Sequence, residues 1–77
     1  MEYEKVKTVK GFEFGIFTFN HGAVTQYRAH VTNKARMWNR YLGAAEDSPG
    51  EAMKAIDYHL ENGFDFFGVE FAGIKKD

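Results

Sequence analysis

Residues 11–42 read GFEFGIFTFNHGAVTQYRAHVTNKARMWNRYL, and the way this stretch pairs with itself decides the fold. Apolar and polar residues alternate with strand period over 11–19, 24–32 and 36–42. The breaks fall at Asn20-His21-Gly22-Ala23 and Asn33-Lys34-Ala35, which have the composition of hairpin turns. In the simplest register Phe12, Phe14, Ile16, Tyr27, Ala29, Val31, Met37 and Tyr41 share one apolar face, the predicted core. The other face then collects Phe17, Phe19, Gln26, Arg28, His30, Arg36, Trp38 and Arg40, with Arg28 close to or opposite Arg40. Like charges so placed repel unless an anion sits between them. Register is decisive, because a one-residue slip in the second turn sends Arg36, Trp38 and Arg40 to the opposite face. The plainer alternative is a solvated face whose Phe and Trp are covered by a terminal segment.

Charge follows the same division. Residues 14–45 contain no acid and carry +4, residues 46–77 carry −5, and residues 1–13 balance, which gives the chain its net charge of −1. A near-neutral total argues against a strongly basic nucleic-acid binder, yet the segregation leaves a basic part able to meet phosphate and an acidic part able to meet a basic partner.

Seventy-seven residues bound the chain to one small domain, 1–77, with a marginal core and no room for a large cleft, so function is expected on an outer surface. There is no cysteine for a disulfide or a thiolate zinc site, which fits a reducing compartment. No hydrophobic run approaches a membrane span, and the opening MEYEKVKTVK lacks the apolar core of a secretion signal. The expectation is a soluble cytoplasmic protein with no membrane partner, as monomer or homodimer.

Outward from the central stretch, residues 3–10 alternate weakly and read as a short edge strand guarded by lysines or as a frayed tail. Gly11 and Gly15 interrupt an aromatic strand; an interior glycine marks a bulge, a close backbone approach or relief of crowding among phenylalanines. After a connection at 43–47, Ser48-Pro49-Gly50-Glu51 is a helix start, with Ser48 and Glu51 as a reciprocal capping box and Pro49 at the first helical position. The helix is predicted to run to about Glu61 with Ala52, Met53, Ile56 and Leu60 buried, Glu51, Lys54, Asp57 and Glu61 solvated, and Asn62-Gly63 as a left-handed end. Residues 64–74 read as a last strand with apolar residues on both faces. The predicted class is therefore α+β: an antiparallel sheet of three to four strands with one helix on one face, in the order β-β-β-α-β, with room for a short extra N-terminal strand.

Catalytic chemistry has few candidates. The lone serine, Ser48, is explained as a cap, so no activated hydroxyl nucleophile is expected. His21, His30 and His59 lack metal-ligand spacing, with His21 read into a turn and His59 beside the helix stripe. No glycine-rich strand-to-helix turn cradles a phosphate. The expectation is no catalytic residue, no metal, no cofactor and no enzymatic activity.

Tyr27-Arg28-Ala29-His30-Val31, Ala35-Arg36-Met37-Trp38, Leu42-Gly43, and Ser48 with Glu51-Ala52 and Ala55-Ile56-Asp57 form a pattern over residues 22–60. It resembles the three-stranded-sheet-plus-helix DNA-binding domains of plant ethylene-response factors and, more loosely, the arm-binding domains of phage-type tyrosine integrases. It departs from them in the spacing from the tryptophan to Leu42-Gly43, in the longer loop before the helix and in the aromatic segment after it. The resemblance implies a sheet laid on DNA, with the contacts falling to Arg28, Arg36, Trp38 and Arg40. With Phe17 and His30 from the same predicted face, these are the candidate nucleic-acid-binding residues. A small one-sheet, one-helix chain of segregated charge also resembles phage-encoded inhibitors such as anti-CRISPR proteins. That implies the alternative of a protein-protein interaction module docking through its aromatic face or through Glu51, Asp57 and Glu61.

Overall fold

Two tight turns and one capped loop fold residues 2–46 into a four-stranded antiparallel meander. The computed structural model describes residues 1–62 and the backbone of residues 65–66 and 69–70. Strands β1 (Glu2–Val9) and β2 (Phe12–His21) meet at Val9 and Phe12 through Lys10-Gly11. Both loop residues have positive φ, 52° and 85°, which is what a type I′ hairpin demands and what places glycine there. Gly11 is thus a turn residue rather than the start of a strand, and the N-terminal segment is a full edge strand with a bulge between Lys5 and Lys7. His21 ends β2 and pairs with Val24, so the loop to β3 (Val24–Asn33) is only Gly22-Ala23.

The next loop corrects the expected register. Asn33 does not enter a three-residue turn; its side chain accepts from the backbone N–H of Arg36 at 3.2 Å, capping a 3-10 turn (Lys34–Arg36). Met37 then closes the loop in a left-handed conformation, donating its N–H to the Lys34 carbonyl at 3.1 Å. Asn33 pairs with Trp38, the first residue of β4 (Trp38–Glu46), so Val31 faces Arg40 and Ala29 faces Leu42. Relative to an Arg28–Arg40 alignment, β4 has moved by three positions. An odd shift exchanges its two faces. Trp38, Arg40 and Leu42 therefore lie on the core side, while Asn39 and Tyr41 lie on the other, and Met37, expected in the core, is 92 % exposed.

Helix α1 (Pro49–Asn62) follows β4, so four strands precede the helix, the three expected before it and the N-terminal strand for which the reading left room. Ser48 Oγ accepts from the Glu51 N–H at 3.2 Å as expected, but the Glu51 carboxylate turns to Lys54 Nζ at 3.0 Å, so the reciprocal arm of the capping box is absent among the described contacts. Ala52, Ile56 and Leu60, one turn apart, join Phe12, Phe14, Ile16, Ala29, Val31 and Leu42 in a single core, with Val6, Val9, Tyr27, Trp38 and Met53 packed around it. Each large side chain so buried contributes about 1.5–3 kcal/mol. Beyond the helix, β5 (Asp65–Phe66) and β6 (Val69–Glu70) pair antiparallel with each other where one strand over 64–74 was expected; residues 64, 67–68 and 71–74 of that strand, and the Gly63 cap, lie outside the described residues. No helix among the described residues is long and apolar enough to cross a membrane.

Candidate functional site

The face of the sheet away from the core carries two kinds of side chain, set by the pairing. Tyr3 stands beside Phe17, Phe17 beside Arg28, and His30 beside Tyr41. Further along, Glu13 stands beside Thr32 and Thr32 beside Asn39. The first group makes an aromatic field and the second a polar row. A concavity of about 490 Å³ spans the two.

The aromatic field is continuous. Phe17 lies 4.8 Å from Tyr3, 4.9 Å from His30, 5.9 Å from Tyr41 and 6.1 Å from Phe19, centroid to centroid, mostly tilted or edge-on. Phe19 continues it to His21, which stacks at 6.3 Å in the strand rather than sitting in a left-handed turn. None of these rings belongs to the core. Tyr3 and Tyr41 are each 38 % exposed, and Phe17 and Phe19 are half-buried. The Arg28 guanidinium lies 4.5 Å over the Tyr41 ring while its Nε donates to the Gly43 carbonyl at 2.9 Å. That carbonyl belongs to a bulge that separates the Ala29–Leu42 and Tyr27–Glu46 pairs.

His30 sits in the middle of the field and is only 9 % exposed. Its Nε2 is 3.4 Å from Asn39 Oδ1 and donates in the tautomer protonated there, and its Nδ1 has no partner among the described residues. Burial lowers its pKa, outweighing the opposing effects of the Asn39 hydrogen bond and the Glu13 charge. Across Gly15, the Tyr3 hydroxyl donates to Glu13 Oε2 at 2.6 Å. Burial first, then that hydrogen bond and the carboxylate charge, raise the Tyr3 pKa far above its ordinary value, so the phenol stays protonated. Lys34 Nζ lies 4.0 Å from the second oxygen, Glu13 Oε1.

Of the residues expected on one cationic face, the structure brings together Phe17, Arg28 and His30. It separates the others. Arg36 is in the exposed 3-10 turn, and Trp38 packs edge-on against Phe12 at 6.0 Å. Arg40 is on the helix side, where its charge, after burial, lowers the pKa of His59. The cause is the odd register shift, and it also removes the expected Arg28–Arg40 repulsion. The acidic trio is not a uniform exposed surface either, because Asp57 is half-buried and Glu51 pairs with Lys54.

Sequence reasoning missed Tyr3, Glu13, Asn39 and Tyr41 as site residues. The signals were present: Gly15 marked a close approach, here by Tyr3, and Asn33 three residues before Arg36 had the spacing of a cap. Comparison with family models, with curated proteins and with solved structures gives no match to this chain, so its reading rests on the geometry and chemistry of this face.

Proposed function

We propose that the protein is a non-enzymatic cytoplasmic module that binds single-stranded nucleic acid on the aromatic face of its sheet. The observation that carries this reading is the half-exposed field of Phe17, Phe19 and Tyr41 on the face opposite the helix, with the Arg28 guanidinium laid on it. Rings left in water on a sheet give successive bases a surface to stack on, at roughly 1–3 kcal/mol per base, and an arginine beside them serves both phosphate and base.

Duplex recognition by a sheet in the major groove asks for several cations on one face. With Arg36 and Arg40 displaced, this face keeps Arg28, Lys34 and Lys5, the last paired with Gly15, and it includes the carboxylate of Glu13. Few phosphate contacts and many rings suit an unpaired strand better.

The test is fluorescence anisotropy of labelled single strands and of the matching duplex at two salt concentrations. Single strands should bind tighter than duplex, and Phe17→Ala with Tyr41→Ala should weaken them at least tenfold, on the order of one lost stack. Equal binding of duplex and strand, or no effect of the ring substitutions, would refute the platform. If no nucleic acid binds and the particle mass in solution is doubled, the rings cover a second copy of the chain instead.

A further inference from the structure

The polar row at the foot of the aromatic field has its donors and acceptors fixed by the partners its members already hold. Glu13 Oε2 accepts from Tyr3, which leaves Oε1 and the remaining lone pairs of the carboxylate available. Lys34 Nζ, 4.0 Å from Oε1, is a donor beside that acceptor. The Thr32 hydroxyl gives its proton to the Trp38 carbonyl at 3.1 Å, so toward a ligand it can only accept. Asn39 turns its Oδ1 to His30, so its amide nitrogen is left to donate. The His30 ring, 9 % exposed, lines the wall above them.

We infer that this concavity takes a guanine ring, with the Glu13 carboxylate on its N1–H and N2–H2 edge and the Lys34 ammonium on the adjoining O6. Guanine alone among the bases puts two neighbouring N–H donors next to an acceptor, the complement of a carboxylate next to an ammonium. Adenine and cytosine place an unprotonated ring nitrogen beside their amino group, which would set lone pair against lone pair at Glu13. Thymine and uracil flank their single N–H with two carbonyls, which the carboxylate repels. The ring would stack on the aromatic field while its edge is read by the polar row. The inference rests on the reading of this face as a base-stacking surface, and the guanine could belong to a strand or to a free nucleotide.

Both sources are separated by one set of titrations. The probes are a labelled oligothymidine strand with one central guanine, the same strand with adenine or cytosine there, and free GMP against AMP. The guanine strand should bind about tenfold tighter than the others. Glu13→Gln removes the charge and offers an amide N–H2 to the donors of guanine, while its carbonyl still accepts from Tyr3. It should erase that preference, bringing the guanine strand level with the adenine and cytosine strands. Lys34→Ala, at a side chain 83 % exposed and therefore tolerant of change, should reduce the preference too. If every strand binds within about twofold of the others, the guanine site is refuted and the stacking surface stands. If no strand binds but GMP is preferred over AMP, the site stands and the strand reading falls. If neither strand nor nucleotide binds, both fall.

Discussion

The Tyr3 ring on the edge strand occupies the space in which a β-carbon on Gly15 of the neighbouring strand would stand, and from there its hydroxyl reaches Glu13. The missing side chain at Gly15 thus links the strand edge to the polar row and brings the phenol against Phe17 and His30. Residues 2–5 are exposed, so beyond the backbone ladder to residues 15–18 this contact ties the start of β1 to the face.

Substituting Gly15 tests that relationship. In Gly15→Ala the atoms that must move are the far end of the Tyr3 side chain, which can swing into water, so the cost is the lost hydrogen bond and ring contact rather than a rigid clash: about 1 kcal/mol. In a Tyr3→Ala background the same change should stabilise by roughly 0.5–1 kcal/mol, because alanine suits a strand interior better than glycine. Urea melts of the four proteins give the cycle. Equal effects in the two backgrounds would mean that Tyr3 does not occupy this site in solution.

Acid should weaken the fold through its buried histidines. Burial lowers the pKa of His30 and of His59, the latter aided by Arg40. The unfolded chain therefore takes up protons near pH 6.5, before the folded one does. Stability is full above that value, falls as pH drops through it toward the lowered folded values, and levels off below them. His30→Phe should remove part of this slope in urea melts taken across the window and leave the part due to His59. An unchanged slope would place the His30 ring in water.

Much of this was legible in the sequence. The alternation in β2 and β3 placed Phe12, Phe14, Ile16, Ala29 and Val31 in the core, and Ser48-Pro49 marked the helix start, because period and caps are local properties. The pairing of β4 was not legible in the same way. It depends on the length and place of the loop: three residues, 33–35, were expected, and the structure has four, 34–37, with the Asn33 side chain accepting from the Arg36 N–H to cap it. Because strand faces alternate, that odd shift exchanged Trp38 and Arg40 for Asn39 and Tyr41 and recast the site from cationic to mainly aromatic.

The loop itself can be tested. Met37 holds φ 53° with its side chain in solvent, a conformation costing a non-glycine residue on the order of 1 kcal/mol. Met37→Gly should recover roughly that amount in a thermal or urea melt. Asn33→Ala, which removes the cap, should lose about 1 kcal/mol. A loss on Met37→Gly would indicate that the left-handed loop, and with it the register of β4, is not the one adopted in solution.

The division of the arginines between two faces gives the sharpest comparison for binding. On the proposed surface only Arg28 of the arginines is placed to meet a strand, while Arg36 is in the 3-10 turn and Arg40 is beside the helix. Arg28→Ala should lower the salt dependence of single-strand affinity by about one unit of slope, the signature of one lost phosphate contact. Arg36→Ala and Arg40→Ala should leave the slope unchanged, with melts confirming that each variant is folded. The opposite pattern, with the slope falling for Arg36 and Arg40 but not for Arg28, would move the binding surface to the helix side of the sheet and overturn the aromatic platform.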